Sequence, residues 1–198
     1  MSSKCQPSLQ DDVPPIQFYF DEEKAAQSAA YLIRKTGKTA INYMLLVKLL
    51  YLTDRKLLID RGKPLTGDGF AALPKGPVVS TICNFVRGQR DGETWSQYVV
   101  KNGRYDVAID HETPDSVSRL SPSELDALDD VFSDYGHLDP FAVVEQLHIK
   151  SDFPEWDDPK GSSFQIDPKD ILLQNGWTVE DAREIAALAQ TDRHYRAG

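Results

Sequence analysis

Two cysteines in 198 residues, Cys5 and Cys83, are too few and too far apart for a disulfide framework or a zinc knuckle. Long hydrophobic runs are also missing. No stretch approaches the roughly 18 consecutive uncharged apolar residues of a membrane span, and no basic segment followed by an apolar one opens the chain. A reducing, cytoplasmic location without membrane contact is the expectation. Basic residues are the minority, 22 Lys and Arg against 31 Asp and Glu, for a net charge of -9. Such a surface repels phosphate backbones and the sequence has no basic recognition helix, so direct nucleic-acid binding is disfavoured. A basic protein partner suits the charge, although acidity also serves solubility alone. The G-x-S-x-G, G-x-x-x-x-G-K-[ST] and G-x-G-x-x-G patterns are absent. None of His111, His137, His148 and His194 has the i,i+4 partner or neighbouring cysteines of a zinc site, so neither metal nor cofactor is expected.

What is present is mostly helical. Residues 1–17, with three prolines among the first 16 and no sustained period, read as a flexible tail, and residues 18–198 as one domain. Asp21 caps a helix with an alanine-rich stripe that ends before Gly37. From Asn42 to Gly62, leucines, isoleucine and valine fall around most of the circumference, which predicts a central helix buried on all sides. PVVSTICNFVRG predicts a helix with Pro77 near its first turn and Gly88 past its end. WSQYVVKNGRYDVAID alternates and turns at Asn102-Gly103, a β-hairpin pattern. Ser121 to Glu124 forms a capping box for the next helix, Asp139 caps another, and a short helix around DILLQNG precedes a last one opened by Thr178 and Asp181. The fold class is mainly α: a compact helical domain around a buried central helix, with one small β-hairpin.

Asp54 projects from an apolar flank of the central helix, where a carboxylate needs partners. The following TGDG turn offers backbone amides, which makes Asp54 a pin for that loop; a partner contact or a catalytic acid are the other readings. Lys48, Tyr51 and Arg55 share a different strip, either a polar groove or a solvated strip with Tyr51 beneath the long stems. His148 falls on the apolar side of its helix, the setting of a satisfied core histidine. In FPEWDDPKG, Trp156 beside acidic residues is either an exposed anchor for a basic partner or a cap folded onto the core.

Lys48 to Asn84, KLLYLTDRKLLIDRGKPLTGDGFAALPKGPVVSTICN, closely resembles the signature of the Panacea domain, the SocA-like family of antitoxins and phage-associated proteins. The family pattern is a K-L-L-Y-x-x-D helix, a G-x-P-[IL]-x-x-x-x-[FY]-x-A-x-x-x-G-P-V turn and a further helix. Asp54, Gly62, Pro64, Leu65, Phe70, Ala72, Gly76, Pro77 and Val78 fall on it. A looser match at LHIKSDFPEW places His148, Pro154 and Trp156, and Lys75, preceded by Pro74, departs from the aromatic or polar residue frequent before Gly76. The resemblance, spanning about residues 20 to 165, implies a non-enzymatic helical domain that neutralises a co-encoded protein toxin by direct binding. In some members it implies an adaptor that delivers the toxin to an AAA+ protease, for which the N-terminal tail or RHYRAG at the C-terminus are candidate docking elements. Lys48, Tyr51, Arg55, Lys75 and Trp156 are the candidate partner contacts; the motif residues Asp54, Gly62, Pro64, Phe70, Gly76, Pro77 and His148 are read as structural. The reading from a different class is an enzyme built around Asp54, Tyr51 and His148.

Overall fold

In the computed structural model, residues 12–110, 113 and 117–196 are described. His111, Cys5 and residues 1–11 of the expected tail lie outside them. Helix accounts for 51% and strand for 12% of the chain. The elements run α1 (Glu22–Lys35), β1 (Ala40–Asn42), α2 (Tyr43–Arg61), β2 (Phe70–Leu73), β3 (Gly76–Val79), α3 (Ser80–Arg87), β4 (Val99–Asn102), β5 (Asp106–Ile109), α4 (Pro122–Tyr135), α5 (Pro140–Leu147), β6 (Phe164–Ile166), α6 (Pro168–Gln174) and α7 (Val179–Arg196).

α2 is the centre of the molecule, capped by the Asn42 side chain at its start and by Gly62 in the left-handed conformation at its end. Its buried residues, Leu45 through Asp54 without a gap and then Leu57 and Leu58, leave no solvent face over most of its length, because α1, α4, α5, α6, β1 and β3 all pack around it. The leucine pattern requires this. A helix apolar on every side is stable only when surrounded. α1 lays Ala25, Ala26, Ala29, Ala30 and Ile33 into the core behind its Asp21 cap. α4 starts at the expected capping box, with Glu124 accepting from the Ser121 N–H at 2.9 Å. Asp139 and Asp167 cap α5 and α6 through the Phe141 and Lys169 amides, and the Thr178–Asp181 pair opens α7.

The strand content exceeds the expected single hairpin. β4 and β5 form that hairpin, but the loop is Gly103 to Tyr105 with Asn102 paired to Asp106, and β1 joins on the far side to make an antiparallel sheet in the order β1-β5-β4. A second antiparallel sheet, β3-β2-β6, occupies the stretch where Pro77 was expected to begin a helix. That expectation fails because the run GPVV is buried at every position, as an apolar strand between α2 and β2 must be. Proline is compatible with it: β3 is an edge strand, where a missing N–H is tolerated. The helix start is set instead by Asp68, whose carboxylate accepts from the Thr81 and Ile82 amides at 3.0 and 2.9 Å.

The ends of the chain close over this framework. Residues 12–17 are draped: Val13 and Ile16 are buried, and the Ile16 N–H reaches Asp167. Trp177 donates its indole N–H to the Ile59 carbonyl at 2.9 Å, and α7 buries Ala182, Ala186 and Ala189.

One carboxylate joins three helices. Glu124 on α4 accepts from Lys24 of α1 at 2.9 Å and from Arg61 of α2 at 2.8 Å. Burial alone would raise its pKa, but the Ser121 amide and the two cations outweigh that and hold it down to about 2. A depressed carboxylate stabilises the fold above its unfolded pKa of 4.5 and loses that contribution as pH falls toward about 2. Glu124→Gln is therefore expected to lower stability at pH 7 by on the order of 2 kcal/mol, and the gap from wild type should close between pH 4.5 and 2 in urea titrations.

Candidate functional site

The polar residues of α2 do not form an open groove. Lys48 and Tyr51 are 1% and 0% exposed, Asp54 is fully buried, and only Arg55 reaches the edge. Each is committed to a segment that crosses the helix.

Asp54 acts as the pin expected from its position. Its two oxygens accept from the Thr66 N–H at 2.8 Å and the Thr66 hydroxyl at 2.6 Å. The Thr66 hydroxyl in turn accepts from the Asp68 N–H at 3.2 Å, and the Thr66 carbonyl takes the Asp21 N–H. Burial pushes Asp54 up to about 7, with neighbouring Asp68 adding to the rise and the Thr66 bonds opposing it. Asp68 is raised as well, again by burial. Nothing in the spacing distinguished Asp68 from a turn residue; three amide bonds to Gly69, Thr81 and Ile82 show it to be the second anchor of this loop.

Tyr51 donates to Glu155 Oε1 at 2.5 Å, and Arg55 pairs with the same carboxylate at 2.6 Å while stacking over Phe153. Glu155, fully enclosed at its side chain, is the residue that reading the sequence missed. It lay among acidic residues that face solvent: Asp157 and Asp158 are exposed. The FPEW segment folds back, with Phe153 and Trp156 buried, and Trp156 donates to the Leu73 carbonyl at 3.1 Å. Lys150 fixes the loop by donating to the Pro154 and Trp156 carbonyls and to Asp157.

His148 is not a satisfied core histidine. It terminates α5, stacks on Trp156 with centroids 4.1 Å apart and planes 9° apart, and keeps a buried Nε2 without a hydrogen-bond partner. Burial, and secondarily the charge of Lys48, lowers its pKa. Among the described residues no cluster of His, Cys, Asp and Glu has the makings of a metal site.

Lys48 Nζ donates to the Pro77 carbonyl at 2.7 Å, tying α2 to β3. Burial pushes this amine down to about 7, and Arg87 adds to the fall. Beside it lies a pocket of about 280 Å³ between α2, the β2–β3 turn and α3, to which Lys48, Lys75, Cys83 and Arg87 contribute. Asp54, Tyr51 and His148, the residues of the enzymatic reading, do not line it. Two of them hold their oxygens against Thr66 and Glu155.

Lys75 alone of the five candidate contacts is plainly exposed, its ammonium 5.2 Å from the centre of the exposed Phe141 ring. Exposed carboxylates elsewhere are ordered on α4, where Asp126, Asp130 and Asp134 recur every fourth residue.

Residues 46–157, more than half of the chain, match the family model described as "Antitoxin SocA-like, Panacea domain". No curated protein and no solved structure matches the chain. The matched segment runs from α2 to the loop beyond Trp156, and so includes the Asp54–Thr66, Lys48–Pro77 and Tyr51–Glu155 connections.

Gly76 shows how tightly these connections are drawn. It follows the Pro74-Lys75 turn at φ +84°, and a Cβ there would lie 3.2 Å from Lys48 Nζ and 3.5 Å from two His148 ring atoms. A branched side chain meets both the backbone penalty of positive φ and this crowding. Gly76→Val is expected to cost at least about 1–3 kcal/mol and lower the melting temperature by several degrees. An unchanged melting temperature would show that the turn tolerates a side chain.

Proposed function

Because the chain belongs to the SocA-like antitoxin family with a Panacea domain, we propose that it is the antitoxin of a toxin–antitoxin pair and neutralises its toxin by binding it directly and covering its active or substrate-binding face. The observation that carries this reading is the family match across α2, the β2–β3 sheet and α3.

Two physical features support occlusion. The framework is cross-linked by buried polar bonds, so little ordering entropy is spent when a partner docks. The net charge of -9 and the exposed Asp126, Asp130 and Asp134 stripe on α4 complement a basic surface, which suits a toxin that handles RNA or nucleotides. In this reading Lys75 and Phe141 offer a second exposed contact, while Lys48, Tyr51, Arg55 and Trp156 hold the surface in shape from beneath. No helix among the described residues is long and apolar enough to cross a membrane.

Co-expression with the neighbouring open reading frame tests the reading. Rescue of growth with co-purification of the two proteins is the expected outcome, and the association rate should fall as ionic strength rises. Neutralisation by the purified chain without a protease distinguishes occlusion from delivery to an AAA+ protease. A neighbour that is innocuous alone, or a complex whose association is indifferent to salt, contradicts the proposal or its electrostatic part respectively. Replacing Asp126, Asp130 and Asp134 with Asn should slow association about tenfold or more at low salt while leaving the melting temperature nearly unchanged.

A further inference from the structure

The pocket beside Lys48 is electrostatically at odds with the rest of the protein. Its walls are largely apolar, formed by Met44, Val47, Leu73 and Val78 together with Tyr43. Its charged groups are all cations: Lys48 at the base, Arg87 and Lys75 on the exposed side. In a chain with 31 acidic residues, no carboxylate among the described residues comes within ion-pair distance of any of the three. Lys48 Nζ spends one N–H on the Pro77 carbonyl and has no other side-chain hydrogen bond among the described residues. Lys75 Nζ lies over the Phe141 ring.

We propose that this pocket binds a small molecule with an apolar body and a single carboxylate, the carboxylate meeting Arg87 and Lys48 and the body lying against Met44, Val47, Leu73 and Val78. A buried ammonium without a counter-charge is costly, and an incoming carboxylate removes that cost while also pairing with the guanidinium. The apolar walls exclude the water that would otherwise screen both contacts, and they disfavour a phosphate dianion, whose hydration shell has nothing here to replace it. At about 280 Å³ the volume sits at the small end for ligand pockets, the size of an aromatic acid and too small for a whole nucleotide. The site uses side chains beneath the toxin-binding surface proposed above, yet does not depend on that reading.

Lys48 gives the interaction a pH signature. The groups facing it are Cys83 and Arg87 on α3 and His148 after α5. Burial raises the Cys83 thiol above its ordinary 9.0 and lowers His148 below 6.5, so among these three groups Lys48, pushed down to about 7, changes charge near neutral pH. A bound carboxylate favours the protonated amine. Affinity should be greatest below about 7 and decline as pH rises above it.

The experiment is isothermal titration of the full chain with indole-3-acetate, 4-phenylbutyrate and octanoate, each paired with its neutral amide. Saturable one-to-one binding of at least one acid is expected, about tenfold or more tighter than its amide. Arg87→Ala, a change at an exposed side chain, should weaken it about tenfold with an unchanged melting temperature. Lys48→Met should weaken it and abolish the decline between pH 7 and 9, whereas Arg90→Ala, outside the pocket, should do neither. Equal affinity for acid and amide, or full affinity in Arg87→Ala, would overturn the proposal. So would the absence of binding by all three acids; if Arg87→Ala then also lost toxin binding, the pocket would be assigned to an acidic side chain of the protein partner.

Discussion

The bond between Asp54 and Thr66 sets the geometry on which the rest depends. A carboxylate fully enclosed in the wall of a central helix is stable only if its oxygens are occupied, and both are, by one residue's amide and hydroxyl. That fixes Thr66 against α2. Through the Thr66 hydroxyl and carbonyl the same constraint passes to Asp68 and to the cap of α1. Asp68 then anchors the start of α3, and the strand between the loop and that helix is clasped by Lys48 at Pro77. The segment from Gly62 to Ser80 contributes little regular helix, yet Thr66 and Pro77 tie it to α2 through buried hydrogen bonds.

The helical skeleton was legible in the sequence because each of its determinants is local. Caps at Asp21, Asn42, Ser121 and Asp139 sit within one turn of the helices they start, and the all-round leucine pattern of α2 states its burial directly. The second sheet was not legible for the opposite reason. β2, β3 and β6 are three or four residues each, and β6 pairs with β2 from about 95 residues away. Pro77 before an apolar helical period looked like a helix start; the competing signal, Asp68, acts from thirteen residues upstream and only through space.

The candidate site divides along the same line. The Asp54 bonds lie within reach of a sequence reading because their partner, Thr66, is in the adjoining loop. Tyr51 and Arg55 were placed on a groove or a solvated strip because their common partner, Glu155, is 104 and 100 residues away and resembles its solvent-facing neighbours, and Trp156 was left between an exposed anchor and a core cap because the carbonyl it meets, that of Leu73, is 83 residues away. His148 was read from helical periodicity, which fails at the last turn: the residue leaves the helix and stacks on Trp156. The buried polar residues thus serve to hold a surface, while exposed charges stand on α4 and around the α2–α3 pocket. A scaffold of this kind can change its exposed residues without disturbing the bonds that orient them.

The central claim is that Asp54 and Thr66 act as one unit joining the loop to the helix. A double-mutant cycle with Asp54→Asn, Thr66→Val and the pair, read by urea unfolding at pH 7, tests it most directly. The account predicts that each single change destabilises the protein and that the double change falls short of their sum by about 1–3 kcal/mol. Additive effects would contradict it.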